Sequence, residues 1–350
     1  MQNIFSNKLT IIAIALLALI ISSCSKEEIN LNELDETIYV RHKNADMPAY
    51  IHGNASEKVF LIILHGGPGG TGLSYRVNAI RNEVEKNNAV VYFDQRGSGN
   101  AQGQYSEEDI SIDLMAEDVL ALAKVIRTKF GDDSKLFLMG HSWGGTLGPA
   151  VLLKNQDEFL GWIDLDGAHN HADFFDEYRA VLTTSANEQI ALGNSVDYWQ
   201  NVLDQVQEIG PTNNTINQLR LNSITNTTAP ILIEDNIINE YRRDFGNDHP
   251  KEGLNKLLWN QRLIGNILDF QKGLGQVSFK DSLPKITIPS LVLWGKHDYA
   301  VPLVFAHEAY DNLGSSDKEL FIFERSGHCP HLSEPDLLGD KLIEFINKHK

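Results

Sequence analysis

Leu136-Phe137-Leu138-Met139-Gly140-His141-Ser142-Trp143-Gly144-Gly145-Thr146-Leu147 is the stretch on which the reading of the fold turns. The first four residues form an apolar run that predicts a buried strand. The small and aliphatic residues from Gly145 to Leu153 predict a helix. Between them stands G-x-S-x-G. On a sharp strand-to-helix turn the serine hydroxyl is held up at the end of a sheet. Glycines flank it because a side chain at either position would meet neighbouring backbone. An ordinary turn serine has the same local composition, so the two readings part on whether a base and an orienting acid follow.

Outward from this turn, apolar runs alternate with helical patterns. Val59–Leu64, Ala89–Phe93, Leu160–Leu165, Leu291–Trp294 and Leu320–Phe323 predict further buried strands, and Thr37–Val40 and Ala49–His52 a pair of edge strands. Ile112, Met115, Val119, Leu122, Ile126 and Phe130 recur every three or four residues, the spacing of a helix packed on one face. Ser333 and Asp336 have capping-box spacing ahead of a last helix with Leu338, Leu342, Phe345 and Ile346 on its apolar stripe. Continuous apolar strands alternating with helices imply an α/β fold with a mostly parallel sheet covered on both faces. The alternation stops between residues 167 and 283, where helical periodicity and aromatics predict a helical cap inserted between two strands. The core is then 37–166 plus 284–350. Such an insertion would lie over the carboxyl ends of the strands, where ligands bind in open sheets.

A serine hydroxyl needs a base, and the base an orienting group. His328 follows the last strand and Asp298 the strand before it, so the chain order is Ser142, Asp298, His328, the order of an α/β-hydrolase. His331 is the alternative base, and Asp164 and Asp166 are alternative acids; His297 and His307 fall on the wrong loop or in a helix. Donors for a developing oxyanion are expected from the backbone N–H of Trp143 and from Gly67, in His65-Gly66-Gly67-Pro68-Gly69-Gly70. That glycine run lacks both phosphate-loop patterns, G-x-G-x-x-G and G-x-x-x-x-G-K-[ST]. No His-x-x-x-His or paired cysteine offers metal-ligand spacing, so neither a metal nor a cofactor is expected.

His65–Gly70, Asp94-Gln95-Arg96-Gly97-Ser98-Gly99 and Gly140–Gly145, in this order, resemble the proline iminopeptidase family of α/β-hydrolases, and Gly295–Asp298 and Ser326–His328 match its later motifs. The resemblance implies a serine peptidase that removes an N-terminal residue, proline or a small apolar one, from short peptides. It carries the triad onto Ser142, Asp298 and His328, and gives Asp94–Gly97 a structural role. It covers the sheet and weakens in the cap. Where some members have an acid directly after the triad aspartate, this chain has Tyr299, and Trp259 is followed by Asn260 rather than by a glutamate. A buried ammonium needs a carboxylate partner; Glu177, Glu240 and Asp269 are the candidates. A carboxylesterase or amidase would use the same triad without an amine requirement. A non-catalytic ligand-binding lipoprotein would leave the complete triad unexplained.

The chain has 350 residues and a net charge of -17, which argues against nucleic-acid partners. Lys8 precedes the apolar run Leu9–Ile21, too short for a bilayer span of about 20 residues. Ile21-Ser22-Ser23-Cys24 resembles a bacterial lipobox. Residues 1–23 are thus expected to be a signal peptide, Cys24 the lipidated first residue, and 24–36 a polar tether, with the protein lipid-anchored in the bacterial cell envelope. One other cysteine exists, so a structural disulfide is not expected of Cys24. Replacing Cys24 with alanine is expected to move the protein from the membrane pellet to the soluble fraction; retention in the pellet would contradict the anchor.

Overall fold

The computed structural model describes residues 30–244, 260 and 262–350. Cys24, the signal peptide and most of the tether therefore lie outside the described residues, as do Trp259 and the 245–259 part of the insertion. Nine strands form one sheet: β1 (Leu34–His42), β2 (Ala45–Gly53), β3 (Val59–Leu64), β4 (Ala89–Phe93), β5 (Gln102–Gly103), β6 (Lys135–His141), β7 (Gly161–Leu165), β8 (Ser290–Gly295) and β9 (Lys318–Phe323). Their order is β1-β2-β4-β3-β6-β7-β8-β9, with β5 paired to β2. The six strands from β4 to β9 along this order run parallel, and β1 and β2 are antiparallel.

Burial explains the arrangement. β3, β4, β7 and β8 are buried at every residue, as continuous apolar runs require of strands covered on both faces. β1 runs further than the expected Thr37–Val40, pairing with β2 from Leu34 opposite Gly53 to His42 opposite Ala45. Its charges, Asp35, Glu36 and Arg41, suit an edge strand that faces water, and they hide its length from a search for apolar runs.

Two helices pack against each other beside the central strands. In α1 (Ile112–Phe130) the Ser111 hydroxyl caps the N-terminus by accepting from the Leu114 N–H at 3.2 Å, and Gly131 ends it at a φ of 117°. The face carrying Met115, Val119, Leu122 and Ile126 is buried. α2 (Trp143–Asn155) starts directly after Ser142 and is buried almost throughout. Between β7 and β8 the described chain is mainly helical: α3 (Phe174–Leu192), α4 (Val196–Ile209), α5 (Thr215–Thr225) and α6 (Thr228–Glu234), then short turns around Ile267–Gln271, Leu274–Gln276 and Lys280–Lys285. Phe174 of α3 packs on Phe305 of α7 (Val304–Asn312) at 5.1 Å between ring centres, tying this segment to the sheet domain.

The last helix departs from expectation. Ser333 closes a short turn, α8 (Pro330–Ser333), and Glu334 is the N-cap of α9 (Pro335–His349), so the Ser333–Asp336 capping box does not form. Pro335 takes the first helical position, where no N–H donor is needed. Ser333 instead bonds the Ser326 hydroxyl at 2.7 Å, and Ser326 donates to Glu334 at 2.7 Å. These bonds fasten the loop that carries His328. Among the described residues no helix is long and apolar enough to cross a membrane.

Asp94-Gln95-Arg96-Gly97 is a buried polar brace. Asp94 accepts from the Thr71 hydroxyl and from the Gly72 and Asn100 N–H groups at 2.8, 2.9 and 2.8 Å. Arg96 grips Asp118 of α1 through two bonds, 2.8 and 2.7 Å long, with both side chains buried. Removing one partner of such a pair strands a buried charge. Asp118→Ala is therefore expected to lose about 3–5 kcal/mol of unfolding free energy, measured by urea denaturation; a loss below about 1 kcal/mol would show the pair to be solvated.

Candidate active site

Ser142 sits at φ 56°, ψ −117°, a left-handed backbone that a non-glycine residue adopts only under constraint. The constraint is visible on three sides. Its N–H donates to Leu165 O at 3.2 Å, and its carbonyl accepts from Gly145 and Ala168 at 2.8 and 2.9 Å. A Cβ at Gly144 would strike the Leu64 carbonyl oxygen, and one at Gly140 the Gly144 carbonyl. The two glycines of the motif thus let β6, α2 and β3 close on the serine.

The structure brings His328 and Asp298 to the same end of the sheet. His328 Nδ1 lies 2.8 Å from Asp298 Oδ2. The other oxygen, Oδ1, accepts from the Ala300 and Val301 N–H groups at 2.8 and 2.9 Å, which holds the buried carboxylate in one orientation. With Nδ1–H donated to Asp298, Nε2 is left as the basic nitrogen. His328 and Ser142 line one cavity of about 440 Å³. The Ser142 hydroxyl makes no hydrogen bond among the described residues. It is free to turn to a base, as nucleophiles in unliganded sites commonly are.

His331 also lines the cavity, but it is buried in α8 and stacked on Tyr75 at 4.7 Å with no hydrogen-bonded acid among the described residues, and burial pushes its ring down to about 3. His307 is exposed on α7, and His297 precedes Asp298 on its loop. Asp164 lies inside β7, where burial raises its carboxyl to about 7. Asp166 follows β7 and lies beside Asp298 rather than His328.

Two N–H groups on residues that line this cavity, those of Trp143 and Gly67, have no partner among the described residues. Trp143 is the first residue of α2, so its N–H has no intrahelical acceptor. In the glycine loop, Gly66 N–H is taken by the Tyr75 hydroxyl at 2.9 Å, whereas Gly67 N–H is not taken. Trp143 is further held by its indole N–H, which donates to Gln95 at 2.8 Å; Gln95 in turn donates to His65 O at 3.1 Å.

Sequence reasoning missed a chain of bonds that joins the glycine loop to the His328 loop. Gly66 N–H donates to Tyr75, the Tyr75 hydroxyl donates to His141 Nδ1 at 2.6 Å, and His141 Nε2–H donates to His328 O at 2.7 Å. The chain needs a neutral His141, and burial drives that ring well below its usual range. His141 is the variable position of G-x-S-x-G, and nothing in the sequence marks Tyr75, so no local signal was present. His141, Cys329 and His331 also stand close enough to share a metal ion. However, both His141 nitrogens are already committed to these bonds, so the group does not fit a metal without breaking them. Cys329 is packed, and burial raises its thiol to about 12.

The amine candidates separate clearly. Asp269 lines the cavity together with Gln218 and Asn222 of α5. It has no cationic partner among the described residues, and burial raises its carboxyl to about 6. Glu177 does not line the cavity; it lies on α3 among Asp173, Asp176 and Glu308. Glu240 is exposed on a separate groove with Arg242 and Asp336. Helical spacing could not tell these faces apart. Tyr299 is buried, its ring 6.3 Å from that of Trp199 on α4. The position after Asp298 thus packs against a helix of the insertion and offers no charge to a ligand.

The family described as the alpha/beta hydrolase fold matches residues 59–335. A Bacillus subtilis protein named as a probable aminopeptidase is 26% identical over 316 residues, covering 87% of this chain and 94% of its own. A proline iminopeptidase of Saccharolobus solfataricus is 27% identical over 296 residues, covering 82% and 84%. The crystal structure of a Mycobacterium smegmatis proline iminopeptidase superposes with a TM-score of 0.60 at 16% identity, covering 90% and 98%, a likeness of fold.

The Asp298–His328 bond leads to a direct expectation. Asp298→Asn should lower kcat on an activated ester by about 10⁴-fold, because the amide favours the wrong imidazole tautomer. A fall of less than tenfold, measured by steady-state kinetics, would mean that another acid orients His328.

Proposed function

The chain belongs to the alpha/beta hydrolase fold family, and on that premise we propose that it is a serine aminopeptidase releasing an N-terminal proline or small apolar residue from short peptides. The observation that carries the reading is Asp269, a carboxylate with no cationic partner among the described residues, on the wall of the cavity that Ser142 and His328 also line. A carboxylate sheltered there attracts a substrate ammonium. The aminopeptidase and proline iminopeptidase names of the relatives support the same substrate class.

In this mechanism His328 Nε2 takes the Ser142 hydroxyl proton as Oγ attacks the scissile carbonyl. The Trp143 and Gly67 N–H groups receive the oxyanion, a contribution of about 10²–10³ in kcat for one such donor. His328 then returns the proton to the leaving amine, and the acyl-enzyme is hydrolysed by water activated in the same way. Asp298 stays ionised and stabilises the imidazolium. Cys24, as a lipidated N-terminus, would hold the enzyme at the cell envelope.

A carboxylesterase or amidase is the second reading. It is favoured by the buried Tyr299, which leaves one fewer acid for an ammonium, and by Glu177 and Glu240 standing outside the cavity.

Prolyl and alanyl anilides with a free amine are expected to react at least tenfold faster in kcat/KM than their N-acetylated forms, and Asp269→Asn should abolish most of that preference through KM. Equal rates for free and blocked amines would select the esterase reading. A further expectation concerns pH. Asp269 is charged above about 6 and neutral below it, so KM for free-amine substrates should rise as pH falls through that value. In Asp269→Asn this rise should be absent; a rise that persists in the variant would place the amine anchor elsewhere.

A further inference from the structure

We propose that Asp166 is a positioning residue: its carboxyl carries a proton and donates a hydrogen bond to the Asp298 carboxylate, fixing it beneath His328. The inference rests on the reading of Ser142, His328 and Asp298 as a working triad.

Asp166 follows β7 and is completely buried. Its backbone sits at φ 46°, a left-handed conformation that aspartate tolerates better than most residues. The turn is held by its own N–H, which donates to Leu293 O at 2.9 Å. Two elements therefore aim this side chain across the ends of β7 and β8. Oδ1 accepts from the Gly295 N–H at 2.8 Å. The Gly295 carbonyl accepts from the Asp298 N–H at 3.2 Å, so one residue of β8 ties both aspartates to the same spot.

The other oxygen, Oδ2, is buried and has no donor to accept from among the described residues. An unpaired buried acceptor costs about 1–3 kcal/mol, more if charged. Its neighbour is the Asp298 carboxyl, and a hydrogen bond between the two would satisfy this oxygen. Two ionised carboxylates are both acceptors and cannot form that bond. One proton between them makes the bond, and Asp298 is the worse place for it. Asp298 already accepts two backbone N–H bonds and faces His328, all of which favour its ionised form. Asp166 accepts one.

The surroundings agree. The titratable groups facing Asp166 are Asp298 from the loop after β8, Asp164 from β7, Cys329 from the loop before α8, and Tyr75 and Tyr241. No Lys or Arg contacts it among the described residues, so nothing offsets a second negative charge. Burial first, and then the Asp298 charge, hold the Asp166 carboxyl well above the usual carboxylate range. A neutral acid in this place adds a fourth bond to Asp298 without adding charge to the triad. It differs from the alternative that Asp166 is itself the triad acid, in which it would be ionised.

The test compares Asp166→Asn and Asp166→Gly with wild type on an activated acetyl ester. Wild-type turnover that Ser142→Ala abolishes establishes the triad reading independently of the outcome for Asp166. Asparagine can accept from Gly295 and donate to Asp298 through its amide. Asp166→Asn should therefore keep kcat within about threefold of wild type and leave the midpoint of the acid limb of kcat/KM unmoved. Glycine fits the positive φ but lacks the donor, so Asp166→Gly should lose about tenfold to a hundredfold in kcat with little change in KM, as a small misplacement of the triad would. A fall of about 10⁴-fold in Asp166→Asn would make Asp166 the triad acid. An acid limb displaced to lower pH in Asp166→Asn would mean that a negative charge had been removed from beside His328. Wild-type kcat in Asp166→Gly would mean that the bond positions nothing. Any of these three overturns the proposal. Wild-type infrared spectra provide a measurement that needs no variant to fold. A buried protonated-carboxyl band should persist above the pH at which Asp164 ionises; its absence there would overturn the proposal too.

Discussion

Everything in the site depends on the close approach of three backbones at Ser142. The serine is held with φ at 56° because β6, α2 and β3 meet there with no Cβ at Gly140 or Gly144 to keep them apart. That geometry puts Ser142 on the cavity lining, with the first N–H of α2 on the next residue. It also sets the level at which the loops after β8 and β9 must deliver Asp298 and His328. Strain of this kind costs of order 1–3 kcal/mol and persists only where surrounding structure imposes it. Here the buried parallel strands and the Arg96–Asp118 brace supply the rigid surround.

Much of this was legible in the sequence, for identifiable reasons. Strands buried on both faces leave unbroken apolar runs, so β3, β4 and β8 could be found almost to the residue. G-x-S-x-G and the order Ser, Asp, His are local or sequential signals, and they led to residues that the fold brings together. What escaped was non-local. The length of β1 was hidden by its charged edge residues. The Ser333–Asp336 spacing suggested a capping box, but Pro335 moved the helix start and gave Ser333 to the His328 loop. The Gly66–Tyr75–His141–His328 chain joins residues as much as 187 positions apart, and no spacing rule reaches that far. Asp269 could be separated from Glu177 and Glu240 only once the cavity was in view.

Sheet and insertion divide the labour. In the proposed mechanism, sheet loops supply nucleophile, base, acid and oxyanion donors. The insertion lines the same cavity with Asp269, the amides of Gln218 and Asn222, and Tyr178, whose hydroxyl donates to Ala300 O at 2.9 Å on the loop that carries Asp298. That last contact couples the helical segment to the triad acid. The chemistry follows from the sheet alone, while substrate choice rests on one half-buried carboxylate, a narrower physical basis.

The central claim is that Ser142 is the nucleophile. A fluorophosphonate probe, followed by peptide mapping, tests it most directly. Ser142 should be phosphonylated stoichiometrically in the wild type, and Ser142→Ala should carry no label. Equal labelling of both proteins, or a label mapped to another residue, would contradict it.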